Sequence, residues 1–143
     1  MATYLLGVGT TAVLFTVGGT DITSYVKSIT ISEDFADIDT TGMNSVTKTH
    51  SPGLRDDKWE VELFQSFSAS TTDPVLYPLL GSTTGATLLF QTSGSTVDTA
   101  HPKYTMVGSL FSYQPVSGTV GDSSMTKVTF LPIAGSSTTR ATA

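Results

Sequence analysis

The chain has 143 residues, no cysteine and a formal net charge of −5. Zinc–thiolate sites, thiol catalysis, iron–sulfur clusters and disulfide staples are excluded by that composition, and seven Lys and Arg against twelve Asp and Glu leave no basic patch to grip phosphates. Charged residues are 13% of the chain, against roughly 25% in ordinary globular domains, with Ser, Thr and Gly in their place.

Such a surface suits a protein covered by its neighbours, because uncharged polar groups cost less to desolvate than charges. The length fits one domain, residues 1–143. A domain of this size buries roughly 68–70% of its unfolded surface, enough for a core without a metal. The opening Met1-Ala2-Thr3-Tyr4-Leu5-Leu6-Gly7 lacks a basic region, an apolar stretch and a cleavage site, so no signal peptide is expected. No apolar run approaches the roughly 18 residues of a membrane helix. A soluble protein made in the cytoplasm is expected.

Ala12 to Val17 is a short apolar run stopped by Gly18-Gly19 and predicts a strand. Val26 to Ser32 alternates, with Val26, Ser28, Thr30 and Ser32 on one face and Lys27, Ile29 and Ile31 on the other. Residues 36–54 are polar and end in Pro52-Gly53; they predict a long loop or extended hairpin projecting from the body. Asp57 to Ser66 is the clearest strand, with Trp59, Val61 and Leu63 facing a core and Lys58, Glu60 and Glu62 facing water. Asp73 as N-cap and Pro74 at the first helical position open one short helix, closed by Gly81. Pro78 inside it argues for irregularity.

Strands follow at Thr87–Thr92, broken by Ser93-Gly94-Ser95, then at Lys103–Tyr113 and Met125–Ile133. The small polar tail 135–143 is expected to be mobile or docked on a neighbour. The sum is a mainly β protein of about six strands and one short helix. It reads as two packed antiparallel sheets, a sandwich or barrel-like body.

Residues that could carry chemistry are few. His50 and His101 are far apart and do not make a zinc set. Serine is abundant without a nucleophile-elbow pattern. Gly7-Val8-Gly9 and Gly18-Gly19 lack the Lys-Ser/Thr ending of a phosphate loop. Glu60 and Glu62 could be paired acid–base carboxylates, but alternating acids on a solvated strand are ordinary surface. Glu33, Asp34, Asp37 and Asp39 offer oxygens to calcium without the EF-hand spacing. No catalytic residue, cofactor or metal is expected, and an enzyme is not.

The order of motifs carries more. Asp21-Ile22-Thr23-Ser24-Tyr25-Val26-Lys27-Ser28-Ile29-Thr30-Ile31-Ser32 resembles the D-I-S-x-Y-V-x-S-V-x-x-S opening of tail tube proteins of tailed bacteriophages of the siphophage type. Asp37-Ile38-Asp39-Thr40-Thr41-Gly42-Met43 is similar to their D-x-L-D-T-T-x-F-G segment, with Met43 where an aromatic is common. Lys48-Thr49-His50-Ser51-Pro52-Gly53-Leu54-Arg55-Asp56 resembles K-x-Y-x-P-G-L-x-D, with His50 in the Tyr place. A strand like Trp59-Glu60-Val61-Glu62-Leu63 follows in both, and Val128 to Gly135 looks like the closing strand.

The resemblance implies hexameric rings stacked into a hollow tube, DNA passing through the lumen without specific binding, and a long loop touching the adjacent ring. It implies a virion location in the tail, assembly in the host cytoplasm, and self-association as the main partnership, with tape measure, tail terminator and tail tip proteins as further partners and no membrane. Length, polarity and the Pro–Gly end make Asp39, Thr40, Thr41, Gly42, Lys48, His50, Pro52 and Gly53 the candidate inter-ring contacts. Alternation and sign make Glu60 and Glu62, then Glu33 and Asp34, the candidate lumen-facing acids. A head decoration or head–tail joining subunit shares this composition. A carbohydrate-binding or adhesion module would want exposed aromatics, whereas Trp59 falls on an apolar face.

Overall fold

The computed structural model describes residues 13–93, 97–133 and 135–143. Gly7-Val8-Gly9, Ala12 and Gly94-Ser95, discussed above, lie outside the described residues. In chain order the elements are β1 (Leu14–Val17), β2 (Thr20–Asp21), a 3-10 turn at Thr23–Tyr25, β3 (Val26–Asp39), β4 (His50–Phe64), α1 (Thr72–Leu76), a 3-10 turn at Tyr77–Leu79, β5 (Ala86–Gln91), β6 (Lys103–Tyr113), β7 (Met125–Pro132) and β8 (Thr139–Ala141).

The strands pair antiparallel in one sheet, ordered β2-β1-β5-β6-β7-β4-β3, with β8 also on β6. The expectation of a mainly β, sandwich- or barrel-like body with one short helix holds. Its two layers are two parts of a single curled sheet. Phe15 of β1 and Trp59 of β4 are separated by three strands in that order, yet their ring centroids are 6.4 Å apart. Curling follows from strand twist, sharpened where an extra residue bulges one strand.

Alternation sets the core. Trp59, Val61 and Leu63 are buried, and Trp59 and Val61 pair with Phe130 and Val128 across β7. Phe15 and Val17 of β1, Leu88 and Phe90 of β5, Met106 and Leu110 of β6, Leu76 of α1 and Ile22 pack into the same core. Each such side chain stabilises the fold by about 1.5–3 kcal/mol on burial.

Several expectations need correction. Val26 packs against the core, on the side of Ile29, because Lys27 is an extra residue between the Val26–Leu63 and Ser28–Glu62 pairs and flips the alternation. The N-cap of α1 is Thr71; Asp73 lies in the first turn, and its carboxylate accepts a 2.6 Å bond from the Tyr113 hydroxyl. Of the two forms expected for residues 36–54, a long loop or an extended hairpin, the hairpin is the one observed, with its loop from 40 to 49. The tail docks on its own chain: β8 pairs with Lys103–Thr105, and Thr138 is buried.

Candidate assembly surfaces

The hairpin of β3 and β4 forms an arm. β7 pairs with β4 only from Trp59 inward, so His50–Lys58 run about 30 Å past it at the usual rise per strand residue. Between Phe35–Arg55 and Asp37–Pro52 the register shifts, with Gly53 and Leu54 opposite Ala36. Gly53 is closely approached there. A Cβ on it would stand 2.9 Å from the end of the Ile38 side chain and 3.2 Å from the Ala36 carbonyl oxygen.

The tip is built from threonines. Thr40 N–H donates to the Thr49 carbonyl at 2.9 Å, Thr49 N–H donates to Thr41 Oγ1 at 2.9 Å, and Thr41 N–H donates to Asp39 Oδ1 at 2.9 Å. The Thr41 side chain and backbone hold the Asp39 carboxyl below its usual range. His50 Nδ1 lies 2.8 Å from Asp37 Oδ1. All eight candidate inter-ring residues thus lie on this one hairpin. Sequence reasoning missed its apolar decoration: Phe35, Ile38, Met43, Val46 and Leu54 are exposed, Leu54 to 87%. The available signal was apolar residues scattered in a polar segment with no periodicity to bury them.

The acids do not share a face. Ser28, Thr30, Ser32 and Asp34 stand in register with Glu62, Glu60, Lys58 and Asp56 on the outward side. A shallow hollow of about 320 Å³ on that side includes Thr30, Glu60, Glu62 and Lys127 in its lining. Lys58 Nζ pairs with Glu60 at 2.9 Å, and its pKa is raised chiefly by that bond. Glu33 has the opposite parity: it lies beside Asp57 on the inward side and takes a 3.0 Å bond from Arg55. The register puts Asp34, Glu60 and Glu62 on one face and Glu33 on the other. Among the described residues no three His, Asp or Glu side chains gather as a metal set. His101 is held to Asp98 at 2.9 Å, a bond that lowers the Asp98 pKa.

The two sheet edges differ. At the β2 end of the sheet, β2 covers Thr16 and Val17 of β1, and beside it the Thr23 hydroxyl accepts from Phe15 N–H at 2.8 Å and lies 3.2 Å from the Phe15 carbonyl. Among the described residues β3 pairs with β4 alone, and its other edge carries no strand. Trp59, fully buried, offers no stacking platform for a sugar. No helix among the described residues is long and apolar enough to cross a membrane.

No family model and no curated protein matches the chain. Solved structures do. A chain from the virion of a native gene transfer agent (GTA) particle is 12% identical, with a TM-score of 0.64 over 89% of this chain and 95% of that one. A chain from the tail of an empty GTA particle, refined with C6 symmetry, is 11% identical with a TM-score of 0.63 over the same shares. A chain from the six-fold symmetrised baseplate of the anti-feeding prophage is 10% identical with a TM-score of 0.51, over 89% and 90%. At these identities the likeness is one of fold: the chain shares the fold of these particle chains, which is consistent with the mostly β fold implied by the sequence motifs.

Proposed function

We propose that the chain is a structural virion protein, the major tail tube subunit of a tailed phage-like particle, which assembles into stacked hexameric rings around a DNA channel. The arm carries this reading. It is long, hydrogen-bonded at its tip and carries five exposed apolar side chains, Phe35, Ile38, Met43, Val46 and Leu54, which suits a contact element. Beyond the other end of β4, Phe67 and, on the segment between β6 and β7, Val116 and Val120 are also exposed. Apolar surfaces at opposite poles suit head-to-tail stacking. The outer edge of β3, unpaired among the described residues, suits lateral pairing within a ring. A heterologous contact of this kind closes into a ring when its rotation allows.

Asp34, Glu60 and Glu62 would face the channel. Six chains at −5 give 6 × −5 = −30 per ring, and an acidic wall repels phosphates so that the duplex slides. The protein would lie in the virion tail, after assembly in the host cytoplasm, with tape measure, terminator and tip proteins at the ends of the tube and no catalytic role. Deleting residues 42–50 tests the arm: the reading expects rings that fail to stack in electron micrographs, and tubes of normal length would contradict it.

The likeness to a baseplate chain favours a second reading, a ring subunit at the end of a tail rather than along it. Rings of the intact protein that never elongate would select it.

A further inference from the structure

Where the arm leaves the body, a buried cluster replaces strand pairing. β4 loses β7 beyond Trp59, and two residues on lies Asp57, 1% exposed. Asp57 Oδ1 accepts from Arg55 Nε at 2.8 Å, and Oδ2 accepts from Thr138 N–H at 2.7 Å. Arg55 Nη2 donates to the Thr138 carbonyl at 2.8 Å and to Glu33 at 3.0 Å. Trp59 Nε1 donates to Thr138 Oγ1 at 3.0 Å, and that hydroxyl lies 3.6 Å from Met106 Sδ. Both backbone groups of Thr138 are therefore held by β4 side chains, one residue before β8 joins β6.

We propose that Asp57, Arg55 and Thr138 form a latch by which the C-terminal strand fixes the direction of the arm. Charge-assisted bonds to a buried carboxylate are short, directional and costly to leave half made. The arm is a lever, so direction matters: at about 30 Å, a tilt of roughly 10° moves its tip by about 5 Å. The latch joins strands distant in sequence and touches β3 as well, through Glu33. These are positioning residues. That the arm stacks rings rests on the function proposed above; the latch itself does not.

The absence of cysteine allows clean labelling. Spin labels at Ser45→Cys on the tip and Ser112→Cys on β6 report arm direction by pulsed dipolar spectroscopy of dilute protein. A pair at Ser28→Cys and Ser112→Cys reports the body. Asp57→Asn and, separately, Arg55→Gln at the partly exposed rim are expected to widen the tip–body distance distribution at least twofold and leave the body pair unchanged. An unchanged tip–body width in either folded variant overturns the latch. So does unfolding of both, which would make the cluster core structure alone. Micrographs of the unlabelled parent at high concentration separate the two ideas: a widened arm in variants whose parent forms no rings there keeps the latch and removes the assembly reading.

Discussion

Phe15 and Trp59 meet with their rings tilted by 38° across the interior of a sheet that places three strands between them. Their contact holds the curl closed. Phe15→Ala or Trp59→Ala is expected to cost about 3–5 kcal/mol through cavity formation, read by urea unfolding. Trp59→Phe should cost less, because it gives up part of the ring and the bond to Thr138 but keeps most of the packing.

The parts of this fold legible in the sequence are those where one face is dry. Lys103–Tyr113 is a strand over the same residues in both readings, and Trp59, Val61 and Leu63 declare their burial by period two. The arm strands were hidden because Glu33–Asp39 and His50–Asp56 face water on both sides, which removes the period. Asp57 and Thr138 were hidden for different reasons. Asp57 has the inward parity of Trp59 and Val61, a signal in hindsight, since an acid there needs a partner. Thr138 sits in a tail of Ser and Thr where nothing distinguishes it. That the proposed inter-ring residues lie on one segment is plain from the sequence, while the exposed apolar side chains beside them needed the structure.

Gly85 and Gly108 pack backbone to backbone. Gly85 has φ +65°, and a Cβ on it would stand 2.7 Å from the Gly108 carbonyl oxygen. Gly85→Ala combines left-handed strain with overpacking, and a loss of about 2–4 kcal/mol is expected in thermal or urea unfolding. Gly81→Ala shares the positive φ with open space around it, and should cost about 1 kcal/mol.

Tyr113 donates to Asp73 at 2.6 Å and accepts from Gln65 Nε2 at 2.8 Å. Burial first, then the bond to Asp73, pushes its pKa up from 10.0 to about 12. The folded state thus favours the neutral phenol. That contribution is whole below about pH 10, the unfolded value, and is lost as pH rises through the folded one. Tyr113→Phe is expected to flatten the fall of stability between about pH 10 and 12, and to cost about 1–2 kcal/mol at neutral pH through its lost hydrogen bonds. Equilibrium unfolding across that range checks both.

Glu60 and Glu62 are removed from the core by alternation, so reversing their sign should leave the fold within about 1 kcal/mol. Glu60→Lys with Glu62→Lys changes each chain from −5 to −1, and six chains from −30 to −6. Assembled variant tubes are expected to retain duplex DNA at low salt and release it as salt rises. Retention equal to that of the unaltered tubes would place these carboxylates away from the channel.

The account stands on self-association of the intact chain. Electron microscopy of the purified protein over a concentration series measures it most directly. Hollow tubes with six-fold end views, lengthening as concentration rises, are the result it predicts. A sample that stays monomeric throughout, by micrograph and by sedimentation, would contradict it.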